Sequence, residues 1–356
     1  MTKTRKAISL FTGAGGLDIG FAKAGIVAVW ANEIDKDACD TYSLNHDSDV
    51  MQMGDLRQYI DGLEKYRDID LVFGGPPCQG FSVAGKMDPN DERSKLIFSF
   101  FDVVEKVQPK AFIIENVKAL GVLAKWKPVR DLMFERAKSL GYNFAEIVIL
   151  NATDYGVPQK RERMFFVAIK DANKLSNSLD GFSPYLKKYQ RKADPVQKIF
   201  HELGAVGSEI NNMLSNAKIT LAKSPILRQS AYAGMLFNGT GRPINAYEYA
   251  NTLPASMGGN RTPIIDEEQM YNDEISWVET YHKALMDGED PIFTEVPKRL
   301  RRITAEEAAR IQTFPKDYKF AGRQNSIYKQ IGNAVPCDLA FAVGSALQDA
   351  LADEGL

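Results

Sequence analysis

Two apolar runs, each broken by glycine where it ends, restrict this chain to few architectures. Ala7-Ile8-Ser9-Leu10-Phe11 runs into Thr12-Gly13-Ala14-Gly15-Gly16, and Ile69, Leu71, Val72 and Phe73 run into Gly74-Gly75-Pro76-Pro77-Cys78-Gln79-Gly80-Phe81-Ser82. Short apolar runs bounded by turn residues read as buried strands of a parallel sheet. Behind the first glycine loop, Leu17, Ile19, Phe21 and Ala22 suit a helix, which makes the unit strand, glycine loop, helix. Further strands are expected over 26–31, 110–114, 143–150 and 164–169, and helices over 94–107, 303–312 and 338–352. The fold class is therefore α/β, with ligands at the carboxyl ends of the strands.

The second loop presents a thiol. Gly74 and Gly75 permit close backbone approach, while Pro76 and Pro77 fix two φ angles and bar a helix, so Cys78 stands at the mouth of a stiff turn. A lone cysteine is usually a packing residue, but these polar, turn-rich surroundings favour a nucleophile. The strand over 110–114 ends in Glu115-Asn116-Val117, placing a carboxylate at the same sheet edge, although Glu115 would also suit a helix cap. Between the last two strands, Arg161 and Arg163 point the same way if the chain is extended. A phosphate, a substrate carbonyl or an ion pair would each suit them.

The first loop is not a dinucleotide fingerprint, because Asp18 occupies the place of its third glycine. Glu33 nevertheless lies about 20 residues beyond it, where a carboxylate accepts from ribose hydroxyls. Asp55, after Met53-Gly54, suits either an adenine amino group or an N-cap.

Strand and helix cease to alternate at Asp171, and polar segments run to about 300. Three parts are expected: 1–170, a second domain over 171–300, and a segment over 301–356 whose long helix returns to the first sheet. Gln330 to Pro336 reads as another glycine turn. The formal net charge of −2 offers polyanions no general attraction, so nucleic-acid contact would rest on local clusters. Lys187, Lys188, Arg191, Lys192 and Lys198 form one such cluster, interleaved with Tyr185 and Tyr189; Lys298, Arg299, Arg301 and Arg302 form another. The three cysteines lack Cys-x-x-Cys spacing and the three histidines lack metal spacing, which supports neither a disulfide framework nor a metal site and points to a reducing compartment. Cys39 and Cys337 are expected to pack in helices. Ala7 to Phe11 is too short for a signal-peptide core, and no apolar run is long enough to span a membrane.

These blocks, in this order, resemble the DNA cytosine-C5 methyltransferases over nearly the whole chain. The Phe-x-Gly-x-Gly loop matches at Phe11, Gly13 and Gly15, Pro-Cys-Gln at Pro77, Cys78 and Gln79, and Glu-Asn-Val at Glu115, Asn116 and Val117. Gln-x-Arg-x-Arg matches at Gln159, Arg161 and Arg163, Arg-x-Ile-Thr at Arg301, Ile303 and Thr304, and Gly-Asn at Gly332 and Asn333. The resemblance implies a Rossmann-like S-adenosylmethionine-dependent sheet with a smaller inserted target-recognition domain, and no metal.

It implies a cofactor site of Phe11, Gly13, Gly15, Glu33, Ile34, Asp55, Pro76, Leu96 and Asn333. It further implies catalysis by Cys78, Glu115, Arg161 and Arg163, and DNA contacts from Gln79, Ser82, Arg93 and Thr252, with Thr252-Leu253 as the family's Thr-Leu dipeptide. The substrate would be a cytosine flipped from duplex DNA, with residues 80–93 closing as a lid. A monomeric, cytoplasmic, nucleoid-associated enzyme of a restriction-modification system or prophage is expected, with a cognate endonuclease that forms no stable complex with it. A tRNA methyltransferase of the same family is the alternative, disfavoured by the long recognition region. A nicotinamide dehydrogenase would leave Cys78 without a role, and a zinc deaminase would need a cysteine where Phe81 stands.

Overall fold

The computed structural model describes residues 4–77, 92–215, 217–292 and 296–356. The chain divides into two compact units. The first holds the chain up to Tyr155, Glu162–Arg191 and Val335–Leu356; the second holds Gly156–Arg161 and Lys192–Ala334.

In the first unit, β1 (Arg5–Leu10), β2 (Ile26–Glu33), β3 (Met51–Met53), β4 (Leu71–Gly74), β5 (Ala111–Val117), β6 (Phe144–Asn151) and β8 (Glu162–Ile169) form one sheet in the order β3-β2-β1-β4-β5-β8-β6. Neighbours from β3 to β5 run parallel, while β8 runs antiparallel between β5 and β6. The strand order reverses between β1 and β4, so the glycine loop after β1 and the proline turn after β4 end side by side. Gly74 is required at this seam, because a Cβ there would lie 2.2 Å from the Leu10 carbonyl oxygen.

Helices α1 (Gly16–Lys23), α2 (Lys36–Asn45) and α3 (Glu92–Val107) connect the strands. Buried Phe100 and Phe101 of α3 pack on Phe112 and Phe166 of the sheet, which are themselves stacked at 5.8 Å. The helix Cys337–Glu354 packs on α1, as expected of a segment returning to the first sheet. Gly20 makes this possible, since its Cβ would meet Ala340 Cβ at 2.4 Å. Cys39 and Cys337 are buried helical residues.

The edges of the units fall at Arg191 and Val335, whereas the sequence pattern changes near 171 and 301. The reason is packing. The short helices Asn173–Ser176 and Ser183–Lys187 are polar enough to break the alternation, yet they dock on Cys337–Glu354. Lys174 and Leu175 donate backbone N–H groups to Glu354, and Tyr185 Oη donates to Asp353 at 2.9 Å.

The second unit has little regular structure. Its core gathers Leu221, Leu236, Phe237, Ile264, Val278, Tyr281, Leu285 and Leu300. The expected helix over 303–312 runs Ala305–Ile311, opened by a capping box in which Thr304 and Glu307 exchange hydrogen bonds. The expected glycine turn at 330–336 is corrected: Gly332 lies in the helix Gln324–Asn333. Its missing side chain serves close packing, since a Cβ would sit 2.4 Å from the Pro254 carbonyl oxygen.

Candidate active site

Where β1 ends, Phe11, Gly13 and Gly15 all take positive φ, which folds the loop tightly back before α1. Glu33, at the end of β2, holds this loop. Its Oε2 accepts the Gly13 N–H at 2.9 Å, and its Oε1 accepts those of Ile34 at 2.8 Å and Asp35 at 2.9 Å. A carboxylate has roughly four acceptor positions, so one remains for a hydroxyl. A Cβ on Gly13 would meet nothing within 4 Å, so the space before the loop is open. Ile34 beside it is 69% exposed, an apolar side chain with no core to enter. An acceptor, an open glycine and an exposed apolar face together fit an adenosyl ligand.

The neighbouring loops are also fixed. Asn32, buried in β2, donates Nδ2 to the carbonyls of Gln52 at 2.8 Å and Gly54 at 3.1 Å, setting the turn that carries Asp55. Asp55 caps the turn Leu56–Gln58 and accepts from Arg57 Nε at 3.0 Å; bonding to Arg57 holds its carboxyl below the usual range. Of the two roles open from sequence, the cap is the one seen. Leu96 is half-buried in α3, and Asn333 is exposed at the end of Gln324–Asn333 in the second unit.

At the β4–β5 edge, Asn116 Nδ2 donates to the Pro76 carbonyl at 3.1 Å, tying down the turn that leads to Cys78. Gly75 lets Glu115 lie against that turn, since a Cβ would fall 2.9 Å from Glu115 Oε2. Arg163 completes the edge with its Nε 3.0 Å from Glu115 Oε1, both side chains being largely buried. The antiparallel register explains the contact. Val117 faces Arg163 and Glu115 faces Phe165, so Glu115 and Arg163 are diagonal neighbours on one face. Cys78, Gln79, Ser82, the Arg93 side chain and residues 80–91 of the expected lid lie outside the described residues, while the backbone of 92–93 opens α3.

Arg161 does something different from Arg163. Buried in the second unit, its Nη1 donates to the Leu253 carbonyl at 3.2 Å and its Nη2 to that of Gly332 at 3.0 Å. Gln159 accepts the Leu253 N–H at 3.1 Å and donates to Gln312 Oε1 at 2.9 Å; Gln312 then donates to the Ile331 carbonyl at 2.6 Å. Thr252 Oγ1 donates to the Lys160 carbonyl at 2.7 Å, beside the parallel pairing of β7 (Gln159–Lys160) with Ala250–Asn251. The expectation that both arginines point one way is therefore corrected. The chain is not one continuous strand, because β7 and β8 pair with different partners and Arg161 stands at the break.

The two basic clusters are partly partnered within the protein. Lys188 pairs with Asp349 at 3.0 Å, Arg191 with Asp338, and Lys198 with Asp194 at 2.7 Å. Arg299 pairs with Asp266 at 2.6 Å and Arg301 with Glu307 at 2.7 Å, while buried Arg302 donates to the Thr262 carbonyl at 2.5 Å. These six side chains are partnered by the protein's own carboxylates and carbonyls. Sequence reasoning matched Asn116 without a role and missed Asn32 and Gln312; for the two asparagines the available signal was their place inside strands, where asparagine is depleted, and for Gln312 there was none.

The family model of the C-5 cytosine-specific DNA methylases matches residues 5–349. The chain belongs to this family. The methylase is 32% identical over 357 residues to the type II methyltransferase M.FnuDI of Fusobacterium nucleatum, covering 98% of this chain and 96% of that one. It is 33% identical over 359 residues to M.NgoPII of Neisseria gonorrhoeae, covering 97% and 96%. Among solved structures, the Entamoeba histolytica methyltransferase EhMeth shares the fold at a TM-score of 0.67 and 19% identity, covering 99% of each chain. Schizosaccharomyces pombe Dnmt2 does so at 0.65 and 17%, covering 99% of this chain and 100% of that one. The methylase is thus a DNA cytosine-5-methyltransferase on a mixed α/β, mostly parallel sheet. Among its described residues no group of three or more His, Cys, Asp or Glu side chains could hold a metal, and no helix is long and apolar enough to cross a membrane.

Proposed function

We propose that the protein methylates C5 of a cytosine flipped out of a specific duplex DNA sequence, through a covalent adduct between Cys78 and C6. The Glu115–Arg163 pair at 3.0 Å, on the sheet edge that leads into Cys78, carries this reading. Cytosine C5 is a poor nucleophile, so the Cys78 thiolate adds to C6 and makes C5 enamine-like. Glu115 holds a proton at N3, which draws charge from the ring as sulfur attacks. Arg163 orients Glu115 and donates toward the base carbonyl, the part the family resemblance suggested for Arg161. Arg161 acts as a positioning residue for Thr252 and Leu253. Loss of the C5 proton to a base and expulsion of the Cys78 sulfur restore the aromatic ring.

S-adenosylmethionine supplies the electrophilic methyl group when bound. Glu33 would take a ribose hydroxyl, Ile34 the adenine face, and the loop of Phe11, Gly13 and Gly15 the remainder of the ligand; Asp55, Pro76, Leu96 and Asn333 complete the proposed set. Gln79, Ser82, Arg93 and Thr252 are the proposed DNA contacts, with residues 80–93 as the lid. The first unit is proposed as catalytic, with 335–356 as its returning segment, and the second unit, chiefly 192–334, as target-recognising. The relatives named as type II methyltransferases support a place in a restriction-modification system, whether on a chromosome or a prophage, with an endonuclease sharing the site. We further propose a monomer acting at the nucleoid in the cytoplasm.

Transfer of labelled methyl from S-adenosylmethionine to duplex DNA, run against tRNA and with Cys78→Ser, tests the reading. Label at cytosine C5 that disappears in the variant is expected; label on tRNA alone would overturn the choice of substrate.

A further inference from the structure

Two arginines outside both basic clusters come together in the second unit. Arg242 and Arg261 are exposed, and among the described residues neither side chain has a hydrogen bond or ion pair. Both line a cavity of about 210 Å³ whose rim includes Asn251, Thr252 and Pro254. Their loops are fastened back to back. The Gly241 N–H donates to the Asn260 carbonyl at 3.0 Å, Ile244 to that of Ile264 at 2.8 Å, and Ile264 to that of Arg242 at 3.1 Å.

Glycine makes the approach possible. A Cβ on Gly239 would lie 2.4 Å from the Asn260 carbonyl oxygen, and one on Gly241 would lie 2.1 Å from that of Thr262. The Thr262 carbonyl is also held from behind by buried Arg302. Two unpaired guanidinium groups thus stand on a braced backbone beside Thr252.

We propose that Arg242 and Arg261 determine sequence specificity by donating to guanine edges in the major groove. The recognised word then holds a fixed G·C pair besides the one that carries the methylated cytosine. This rests on the DNA reading above and goes beyond it. Arginine matches the O6 and N7 acceptors of guanine with two parallel donors, a geometry a flexible lysine does not reproduce. A purely electrostatic phosphate contact would need no such fixed mounting. The cavity wall carries Met235, Pro243 and Pro263, which suits close packing on a base edge better than the hydrated phosphate backbone.

The test is deep bisulfite sequencing of a randomised duplex library methylated by wild type, Arg242→Lys, Arg242→Gln, Arg261→Lys and Arg261→Gln. Thermal melting and S-adenosylhomocysteine binding are measured on each to show intact folding. A wild-type word with an additional fixed G·C pair is expected. Preference at that pair should fall by about ten-fold or more in the lysine and glutamine variants alike. A word lacking such a pair overturns the proposal. So do lysine variants that keep the wild-type word while glutamine variants weaken all sequences evenly and lower the salt dependence, the mark of a phosphate contact. Absence of cytosine methylation by the wild type overturns the underlying DNA reading itself.

Discussion

The two units lean on different chemistry to hold their loops, although Asn32 and Asn116 donate to carbonyls in the first and Thr304 accepts an N–H in the second. In the first, carboxylates and carbonyls at strand ends receive backbone N–H groups: Glu33 takes those of Gly13, Ile34 and Asp35, and Asp35 caps α2. In the second, long donors reach backbone carbonyls: Arg161 to Leu253 and Gly332, Gln312 to Ile331, Arg302 to Thr262 and Ala217. The difference follows from regularity. A parallel sheet satisfies its own ladder and leaves orphan N–H groups mainly where helices and loops begin. An irregular unit leaves orphan carbonyls inside, and long arginine and glutamine side chains reach several that lie far apart along the chain.

Removing Arg161 should break this contrast most severely. Arg161→Ala strips the donors from two buried carbonyls, a loss on the order of 4 kcal/mol, read as a lower urea midpoint that Arg161→Lys does not restore. Arg163→Ala, two residues away, should lose much less stability and roughly a hundred-fold in turnover. Equal unfolding by both would show that the arginines share one job.

Asp18 is a carboxylate of the first unit that its own placement disfavours. It lies buried in the first turn of α1, accepts from Tyr42 Oη at 3.0 Å, and burial pushes its carboxyl up to about 6, against the opposing effect of Ser9 and Tyr42. The folded protein therefore holds the proton more tightly than the unfolded chain, and stability falls as pH rises from about 4 to about 6. The accumulated cost at neutral pH is on the order of 3 kcal/mol. Asp18→Asn keeps an acceptor for Tyr42 and removes the charge. Its melting temperature should exceed wild type at pH 7, with the gap closing by pH 4.

Glu33→Ala should cost about 1–2 kcal/mol, because water reaches part of the freed N–H groups. Titration calorimetry with S-adenosylhomocysteine should show at least a ten-fold weaker affinity, whereas a change in melting alone would confine Glu33 to a structural role. The smallest effect belongs to Lys188→Ala. A surface pair with Asp349 is worth less than about 1 kcal/mol, and DNA affinity with its salt slope should not move. A clear drop in that slope would return the first basic cluster to the phosphate backbone.

Much of the first unit was legible because its signals are local. Apolar runs ending at Phe11 and Phe73, the glycine loop and Glu33 at the end of β2 each follow from residues within a few positions, as does the Thr304 cap in the second unit. The direction of β8 was not legible, since an apolar strand reads alike whether it runs parallel or antiparallel. Gly332 read as a turn because glycine allows both a turn and a close approach, and only Pro254 shows which. The internal partners of the basic clusters were not legible for a related reason. Nearness in sequence marks Lys188 and Arg191 as a patch, but their partners Asp349 and Asp338 lie far along the chain.

By itself, the sequence determined the family, the α/β class and which residue types stand at each strand end, because these depend on composition and spacing along the chain. Tertiary structure decided how those residues are partnered. The antiparallel β8 set Arg163 diagonally beside Glu115, the break between β7 and β8 gave Arg161 to Leu253 and Gly332, and the glycine-fastened loops gathered Arg242 and Arg261. Charge and hydrogen-bonding capacity are properties of a residue, but the groups that satisfy them are chosen by the packing of distant backbone, which no local pattern encodes.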